Sequence, residues 1–352
     1  MGAWDYKAFG TEEDPIHQSD LGDYSRCARL LRFRRDEKAG QRVIDRRVSG
    51  ILASGQASHG VLKRALPYAV DGKPVNLTHI RGAFFEEMET ACAAERVKRT
   101  ELAWRKGAKP DDHYRLKIAG LFHFLTLAQQ RIASVEAVEM KFRSVIRRKN
   151  REIHTEGTWD IVFRTHQGAL ALADYKTGER RPSTFTMTFG FQLGIYPQGM
   201  LEGHVVEDGR RFGRWPDEIW ILMVRDFLPQ KKDSHRQIWR REEAEFFRAR
   251  PGETVRIKKG TQRGPGWYRA ERSPDALPGL AEAIWSIVAV VRSGQFPKRW
   301  DDECDRCPYK RACVQDALAT EDMTAAEKRK LEAALADLPL DELGDGLGED
   351  EP

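Results

Sequence analysis

The chain of 352 residues carries 59 Lys+Arg against 54 Asp+Glu, a formal net charge of +5, with 32% charged and 40% apolar residues. Nine Trp, sixteen Phe and eight Tyr exclude wholesale disorder, and the longest apolar stretch, Ala283 to Val291, is less than half of the ~20 residues a membrane span needs. No basic segment followed by an apolar run opens the sequence, so the expectation is a cytoplasmic protein with no membrane partner, whose five cysteines are metal ligands or free thiols in preference to disulfides.

In chain order, residues 1–20 read as irregular, and a helix is predicted from Tyr24 to about Arg35. A second helix, Val48 to Leu66, carries Ser54-Gly55-Gln56-Ala57-Ser58-His59. Helical spacing continues over Arg81–Arg105 and Asp111–Ala133, where Tyr114, Ile118, Leu121, Leu125 and Ala128 recur at steps of four and three. The period then falls to two. Val135–Ile146, Ile153–Arg164 and Ala169–Lys176 read as strands, the last two joined as a hairpin by Thr165-His166-Gln167-Gly168. A helix over Thr184–Leu201, a central strand over Glu218–Phe227 and helices over Arg241–Arg248 and Leu280–Val291 complete a mixed α/β fold around one sheet.

Charge is unevenly spread. Seven acidic and no basic residues fall in 337–352, which leaves about +12 on residues 1–336 and favours a polyanionic partner. Two blocks concentrate it: Lys141 to Arg151, and Arg256 to Arg263 followed by Trp267 and Tyr268. Basic groups beside flat rings suit phosphate contact and base stacking, and a solvated strand face or loop fits either block equally well.

The informative segment is Gly157-Thr158-Trp159-Asp160, followed after thirteen residues by Asp174-Tyr175-Lys176-Thr177-Gly178. A hairpin lets Asp160 and Asp174 converge across neighbouring strands, and strand alternation puts Lys176 on the face of Asp174. Two carboxylates suit a hard divalent cation such as Mg²⁺. An adjacent amine can orient or deprotonate water and offset transition-state charge; an ordinary surface Asp–Lys pair is the bland alternative. Gln192 and Tyr196 share one helix face. His59, in a small-residue context, reads either as an ordinary structural histidine, the commoner case, or as the imidazole that completes the shell, and Glu139 stands open between a further ligand and an outward surface residue.

Cys304-x2-Cys307-x5-Cys313 supplies three thiols within ten residues. Cys92 falls on an apolar helical stripe and reads as core, so Cys27 is the better fourth ligand of a zinc or iron–sulfur site. Such a site ties the two ends of the chain together.

This ordered set resembles the RecB-like branch of the PD-(D/E)XK nuclease superfamily, in the iron–sulfur form of CRISPR-associated RecB-like exonucleases, phage recombination relatives and AddB-type helicase-nuclease subunits. The resemblance implies a restriction-endonuclease-like mixed central sheet flanked by helices, with the C-terminal cysteines closing onto Cys27. It implies a single nuclease domain over 21–320 with a helical insertion at about 80–133, and a helix and acidic tail over 321–352. It further implies that His59, Asp160, Asp174 and the Tyr175 carbonyl bind Mg²⁺ or Mn²⁺, that Lys176 is catalytic, and that Gln192 and Tyr196 position the DNA strand. Cys27, Cys304, Cys307 and Cys313 would hold a structural [4Fe–4S] cluster, zinc being the lesser alternative. Two features depart from the pattern: Ala28 follows Cys27 where proline is common, and the chain is longer around 80–130 and 202–275. The implied activity is a metal-dependent exonuclease on single-stranded DNA or DNA ends, working with a helicase, integrase or recombinase. A non-catalytic DNA-binding adaptor of a recombination or CRISPR complex is the competing expectation, and a zinc-stapled RNA-binding protein a third.

Overall fold

The computed structural model describes residues 4–39, 48–104, 109–148, 150–178, 182–183, 187, 190–224, 236–238, 254–256, 266–297, 307, 309, 312–313, 324–326 and 329. Asp5 caps a one-turn 3₁₀ helix, Tyr6–Ala8, and a two-residue strand β1 (Ile16–His17) follows. The N-terminal stretch expected to be irregular therefore contributes a strand. In place of one helix from Tyr24 to Arg35 there are two, α1 (Gln18–Arg26) and α2 (Ala28–Lys38). Cys27 between them is fully extended, φ −164° and ψ 124°, which no helix accommodates.

Helices α3 (Gly50–Val70), α4 (Leu77–Ala94) and α5 (Pro110–Leu127) form one layer. The α4 helix starts earlier than its apolar spacing predicts because Asn76 caps it, its Oδ1 accepting from the amides of Thr78 (2.8 Å) and His79 (3.3 Å). It also stops earlier: Arg96 adopts φ +57°, a left-handed conformation that ends the helix well before Arg105. In α5, Pro110 stands at the first helical position, where its missing N–H is not needed.

Strands β2 (Ile132–Arg148), β3 (Arg151–Thr165) and β4 (Leu170–Lys176) occupy the three predicted segments, and Gly168 at φ +81° makes the predicted turn between the last two. Next come α6 (Gln192–Glu202), β5 (His204–Val205) and β6 (Glu218–Met223). Two short strands, β7 (Arg236–Ile238) and β8 (Thr254–Arg256), pair apart from the main sheet; β9 (Trp267–Ala270) and α7 (Leu277–Arg292) follow. The helix expected over Arg241–Arg248, residues 257–263 of the second basic block, Cys304 and the acidic tail lie outside the described residues.

The main sheet runs β5-β2-β3-β4-β6-β9, with β1 also on β3. It is mostly antiparallel; β4–β6 and β1–β3 are its parallel pairs. Helices flank it on both faces. Ala171, Ala173 and Tyr175 of β4 pack with Phe84, Met88, Ile118, Leu121 and Phe124 of α4 and α5. Leu170 and Leu172 pack the other way, with Ile195 and Met200 of α6 and Ile284, Val288 and Val291 of α7. The period-2 alternation of β4 thus sorts its side chains into two cores. Pro274–Arg292, which includes α7, is the one described segment long and apolar enough to cross a bilayer, a length that the stretch Ala283–Val291, broken by Ser286, understates. A stripe of this helix is buried against the sheet.

Three arginines of the first basic block are matched by acid. Arg143 pairs with Glu156 (2.9 Å), Arg147 with Glu152 (3.0 Å) and Glu202 (3.5 Å), and Arg148 with Glu282 (3.0 Å). These pairs link the β2–β3 hairpin to α6 and α7, and their exposure keeps each one's contribution small.

Candidate active site

The edge of β3 that faces β4 is shared. β1 pairs with Thr155 and Glu156, β4 pairs with Ile161 to Arg164, and Gly157-Thr158-Trp159-Asp160 falls in the notch between them. Asp160 is therefore approachable from both layers of helices. Its Oδ2 accepts the Tyr175 amide N–H at 2.7 Å, closing the notch with a side chain where a ladder bond would otherwise stand.

Strands β2 and β3 change faces together at this point. Val138 and Ile161 belong to the α3–α5 core, whereas Met140 and Trp159, two residues along each strand, pack in the α6–α7 core. The register passes from Val138↔Ile161 to Met140↔Trp159, and Glu139 lies between at φ +47°. A left-handed glutamate inside a strand costs about 1–3 kcal/mol, and such strain persists only where the surroundings impose it. Here it turns the Glu139 carboxylate toward His59 and Asp160.

His59, on α3, meets this pair from the first layer. Its Nδ1 lies 2.6 Å from Glu139 Oε1 and 3.9 Å from Asp160 Oδ1, and ligand atoms of all three residues lie within 4.8 Å of one another. Glu139 therefore joins the site as a full member. Its position opposite Asp160 in an antiparallel pair was the available signal, and the left-handed backbone that aims it is invisible to period-2 patterning.

The other half of the site faces α6. Lys176 Nζ donates to Gln192 Oε1 at 3.0 Å and stands 3.2 Å from Asp174 Oδ2. Gln192 Nε2 donates to Asp174 Oδ1 (2.6 Å) and to the Tyr196 hydroxyl (2.9 Å), so the predicted four-residue spacing on one helix face is realised. Every predicted residue of this set, His59, Asp160, Asp174, Tyr175, Lys176, Gln192 and Tyr196, lies in one continuous constellation, joined across the notch by the Asp160–Tyr175 hydrogen bond.

Its electrostatics follow from burial. Burial pushes the Asp174 carboxyl up to about 7, with Lys176 opposing. Asp160 is also raised by burial, and His59 opposes that shift. Burial disfavours the His59 imidazolium, but Asp160, Glu139 and Asp174 outweigh it and hold the ring up to about 9. Both numbers exceed their unfolded values, so without a cation the folded state binds the extra protons and loses stability as pH rises, through about 4–7 for Asp174 and 6.5–9 for His59.

The donor set fits a divalent cation. Asp174 is buried, with the Lys176 ammonium 3.2 Å from Oδ2, and His59, Glu139 and Asp160 bring an imidazole nitrogen and two carboxylates within 4.8 Å of one another. Carboxylate oxygens with one imidazole are ligands that Mg²⁺ and Mn²⁺ accept.

A family model for the PD-(D/E)XK nuclease superfamily matches residues 16–314. The chain belongs to that superfamily. Comparison with curated proteins gives no match. PD-(D/E)XK proteins are hydrolytic nucleases that use divalent metals and act on DNA, and the mixed α/β sheet flanked by helices is consistent with their restriction-endonuclease-like fold.

Beside the α1–α2 break, Cys27, Cys307 and Cys313 pack with Ala312 against a cluster of Leu30, Phe33 and Tyr309. Arg29 Nη1 donates to Cys313 Sγ at 3.7 Å, Tyr309 stacks on Phe33 (5.6 Å), and its hydroxyl donates to Glu37 at 2.6 Å. Three of the four predicted cysteines thus pack against one apolar cluster beside the α1–α2 break. Cys92 is buried in the α3–α5 core, where burial raises its thiol.

Proposed function

We propose that this PD-(D/E)XK protein is a divalent-metal-dependent exonuclease acting on single-stranded DNA or DNA ends. The observation that carries the reading is the unbroken chain of contacts from His59 and Glu139 through Asp160 to Asp174, Lys176, Gln192 and Tyr196. His59, Glu139, Asp160, Asp174 and the Tyr175 carbonyl would hold Mg²⁺ or Mn²⁺. Bound there, the cation would supply positive charge for the phosphodiester under attack and for its leaving oxygen.

The protein's own groups account for the rest. The Lys176 ammonium, fixed by Gln192 Oε1 and Asp174, contacts a non-bridging phosphate oxygen and orients the attacking water. Gln192 works as a two-ended tether: its carbonyl holds the amine and its amide holds the carboxylate, which keeps both groups within about the tolerance that an in-line attack allows. Tyr196, bonded to the same amide, places the helix against the strand to be cut. The presence of both aspartates and the lysine, all buried or half-buried, with Lys176 paired to Asp174 and Asp160 bonded to the Tyr175 amide, favours a catalyst over a DNA-binding adaptor.

End-labelled single-stranded and duplex DNA, incubated with Mn²⁺ or Mg²⁺, tests the reading directly. Release of label from the ends, abolished by chelation, is the expected result. Intact substrate in both metals would overturn it, and internal cuts in a closed circle would replace exonuclease with endonuclease.

The same proposal assigns Cys27, Cys304, Cys307 and Cys313 to a [4Fe–4S] cluster whose job is structural. The packing of three of these half-buried cysteines against one apolar wall, with Arg29 donating to Cys313, supports it. Protein purified without oxygen should be brown and carry about four irons per chain by the stoichiometry of that cluster. A colourless chain with one zinc would remove the assignment and leave the nuclease reading untouched.

A further inference from the structure

Lys176 is held on the α6 side by Gln192, and a second lysine reaches the same end of β4 from the opposite layer. Lys117 of α5 is 7% exposed, and its Nζ donates to the Thr177 hydroxyl at 3.0 Å. Thr177 directly follows Lys176, at the point where the chain leaves β4. Taking an ammonium out of water is costly, so an interior lysine needs a role that an apolar side chain could not fill. Its neighbours Tyr114, Ile118 and Leu121 carry the core contacts of α5, while Lys117 points its ammonium at Thr177.

The surroundings show what this contact fixes. Ser54 Oγ of α3 lies 3.0 Å from Nε2 of His113 on α5, one turn before Lys117, so the two helices are tied at this level. Gly55 of α3 faces the same threonine: a Cβ there would stand 3.5 Å from Thr177 Oγ1. His59 lies four residues further along α3, on the face of Gly55. On α5, Gly120 comes one turn after Lys117, and a Cβ there would be 2.9 Å from the Val224 carbonyl oxygen. This helix is therefore pressed onto the sheet just past the Lys176↔Met223 pair. The Thr177 hydroxyl is seated between the helix of His59 and the helix of Lys117, while Lys176, one residue before it, turns to α6. We infer that Lys117 is a positioning residue: through Thr177 it pins the exit of β4 to the α3–α5 layer, and so sets where the Lys176 ammonium stands relative to His59 and Asp160. This rests on the nuclease reading above, in which Lys176 contacts the phosphate.

The test compares Lys117→Met, Thr177→Val and their combination in the full chain, on end-labelled single-stranded DNA with saturating Mn²⁺. Each single variant should lower the maximal rate by about 10–100-fold, the order of loss that a displacement of about 1 Å produces. The half-saturating DNA concentration, and the Mn²⁺ affinity by isothermal titration, should stay at the parent's values. The double variant should be no slower than the singles, since both remove one contact. Thr177→Ser, which keeps the hydroxyl, should cleave like the parent, whereas a lysine that only packed α5 would give rates independent of the residue at 177. Should Lys117→Met not fold, Thr177→Val against Thr177→Ser decides alone. A parent-like rate in Lys117→Met, weaker binding of DNA or Mn²⁺, losses that multiply in the double variant, or equal rates for Thr177→Ser and Thr177→Val would each overturn the inference. A parent chain that leaves DNA intact in both Mg²⁺ and Mn²⁺ would overturn the nuclease reading instead, and the inference with it.

Discussion

Lys176→Ala is expected to lower DNA cleavage by about 10²–10⁴-fold, the range for a positioned proton-transfer or charge-stabilising side chain, while DNA binding persists. The geometry makes the experiment specific. The amine stands 3.2 Å from Asp174 Oδ2 and donates to Gln192 Oε1, so removing it strips a cation from a buried carboxylate. Asp174 already titrates at about 7, with Lys176 as the largest influence opposing burial. In the alanine variant its carboxyl moves further up, and at neutral pH a protonated Asp174 would mimic the loss of the lysine. Rates should therefore be compared at pH 8.5–9, where the carboxylate is more fully ionised, and with Mn²⁺ well above its dissociation constant. Fluorescence anisotropy on single-stranded DNA in Ca²⁺ reports binding separately. A variant that cuts at the parent rate under these conditions would remove Lys176 from the chemistry. A variant that loses binding and cleavage together would make it a DNA-holding residue instead.

The hairpin core of the site was readable because its determinants are local. Two alternating strands around Thr165–Gly168 oblige Asp160 and Asp174 to face each other, and Asp174 and Lys176 to share a face, whatever surrounds them. The helix face of Gln192 and Tyr196 is equally a matter of spacing. What stayed hidden depends on contacts between distant segments. Cys27 looks like one residue of a helix running from Tyr24 to Arg35, since Ala28, Leu30, Leu31 and Phe33 keep helical propensity directly after it. The extended break at Cys27 belongs to the packing of Leu30 and Phe33 against Tyr309, some 280 residues away. Glu139 was undecided for a related reason. Its left-handed backbone flips the phase of β2, and β3 flips at the same level, so apolar residues fall where strict alternation in a single strand would not put them. β1 is two residues long, too short to leave a pattern, yet it sets one side of the notch that holds Asp160.

Gly199→Ala should lower cleavage by about 10–100-fold with the protein still folded, and Phe142→Leu in the same chain should restore most of it. The reason lies in how α6 is held. Phe142 stacks on Trp159 (4.5 Å between centroids) and meets Tyr196 edge-on (5.9 Å). A Cβ at Gly157 would come within 2.7 Å of its ring, and one at Gly199 would overlap the ring as well. The ring is thus a spacer between the G-T-W-D strand and the helix of Gln192 and Tyr196, and both glycines are glycine so that the helix can approach. Trp159 Nε1 donating to the Tyr196 carbonyl (3.0 Å) and Ser144 donating to Gln198 (2.6 Å) fix the helix along its length. Intrinsic propensity favours alanine over glycine in a helix by about 1 kcal/mol, which partly offsets an overpacking penalty of about 1–3 kcal/mol. The variant therefore folds, and the methyl is accommodated by moving α6 outward. Such a shift draws Gln192 away from both Asp174 and Lys176, and a displacement of about 1 Å at this tether is enough for a hundredfold loss. Leucine at 142 makes room for the methyl, so the two changes should couple by roughly 0.5–3 kcal/mol in stability and recover activity together. If Gly199→Ala is folded and fully active, the spacing of α6 does not control the site. If Phe142→Leu restores stability but not cleavage, the glycine acts through something other than the distance between helix and strand.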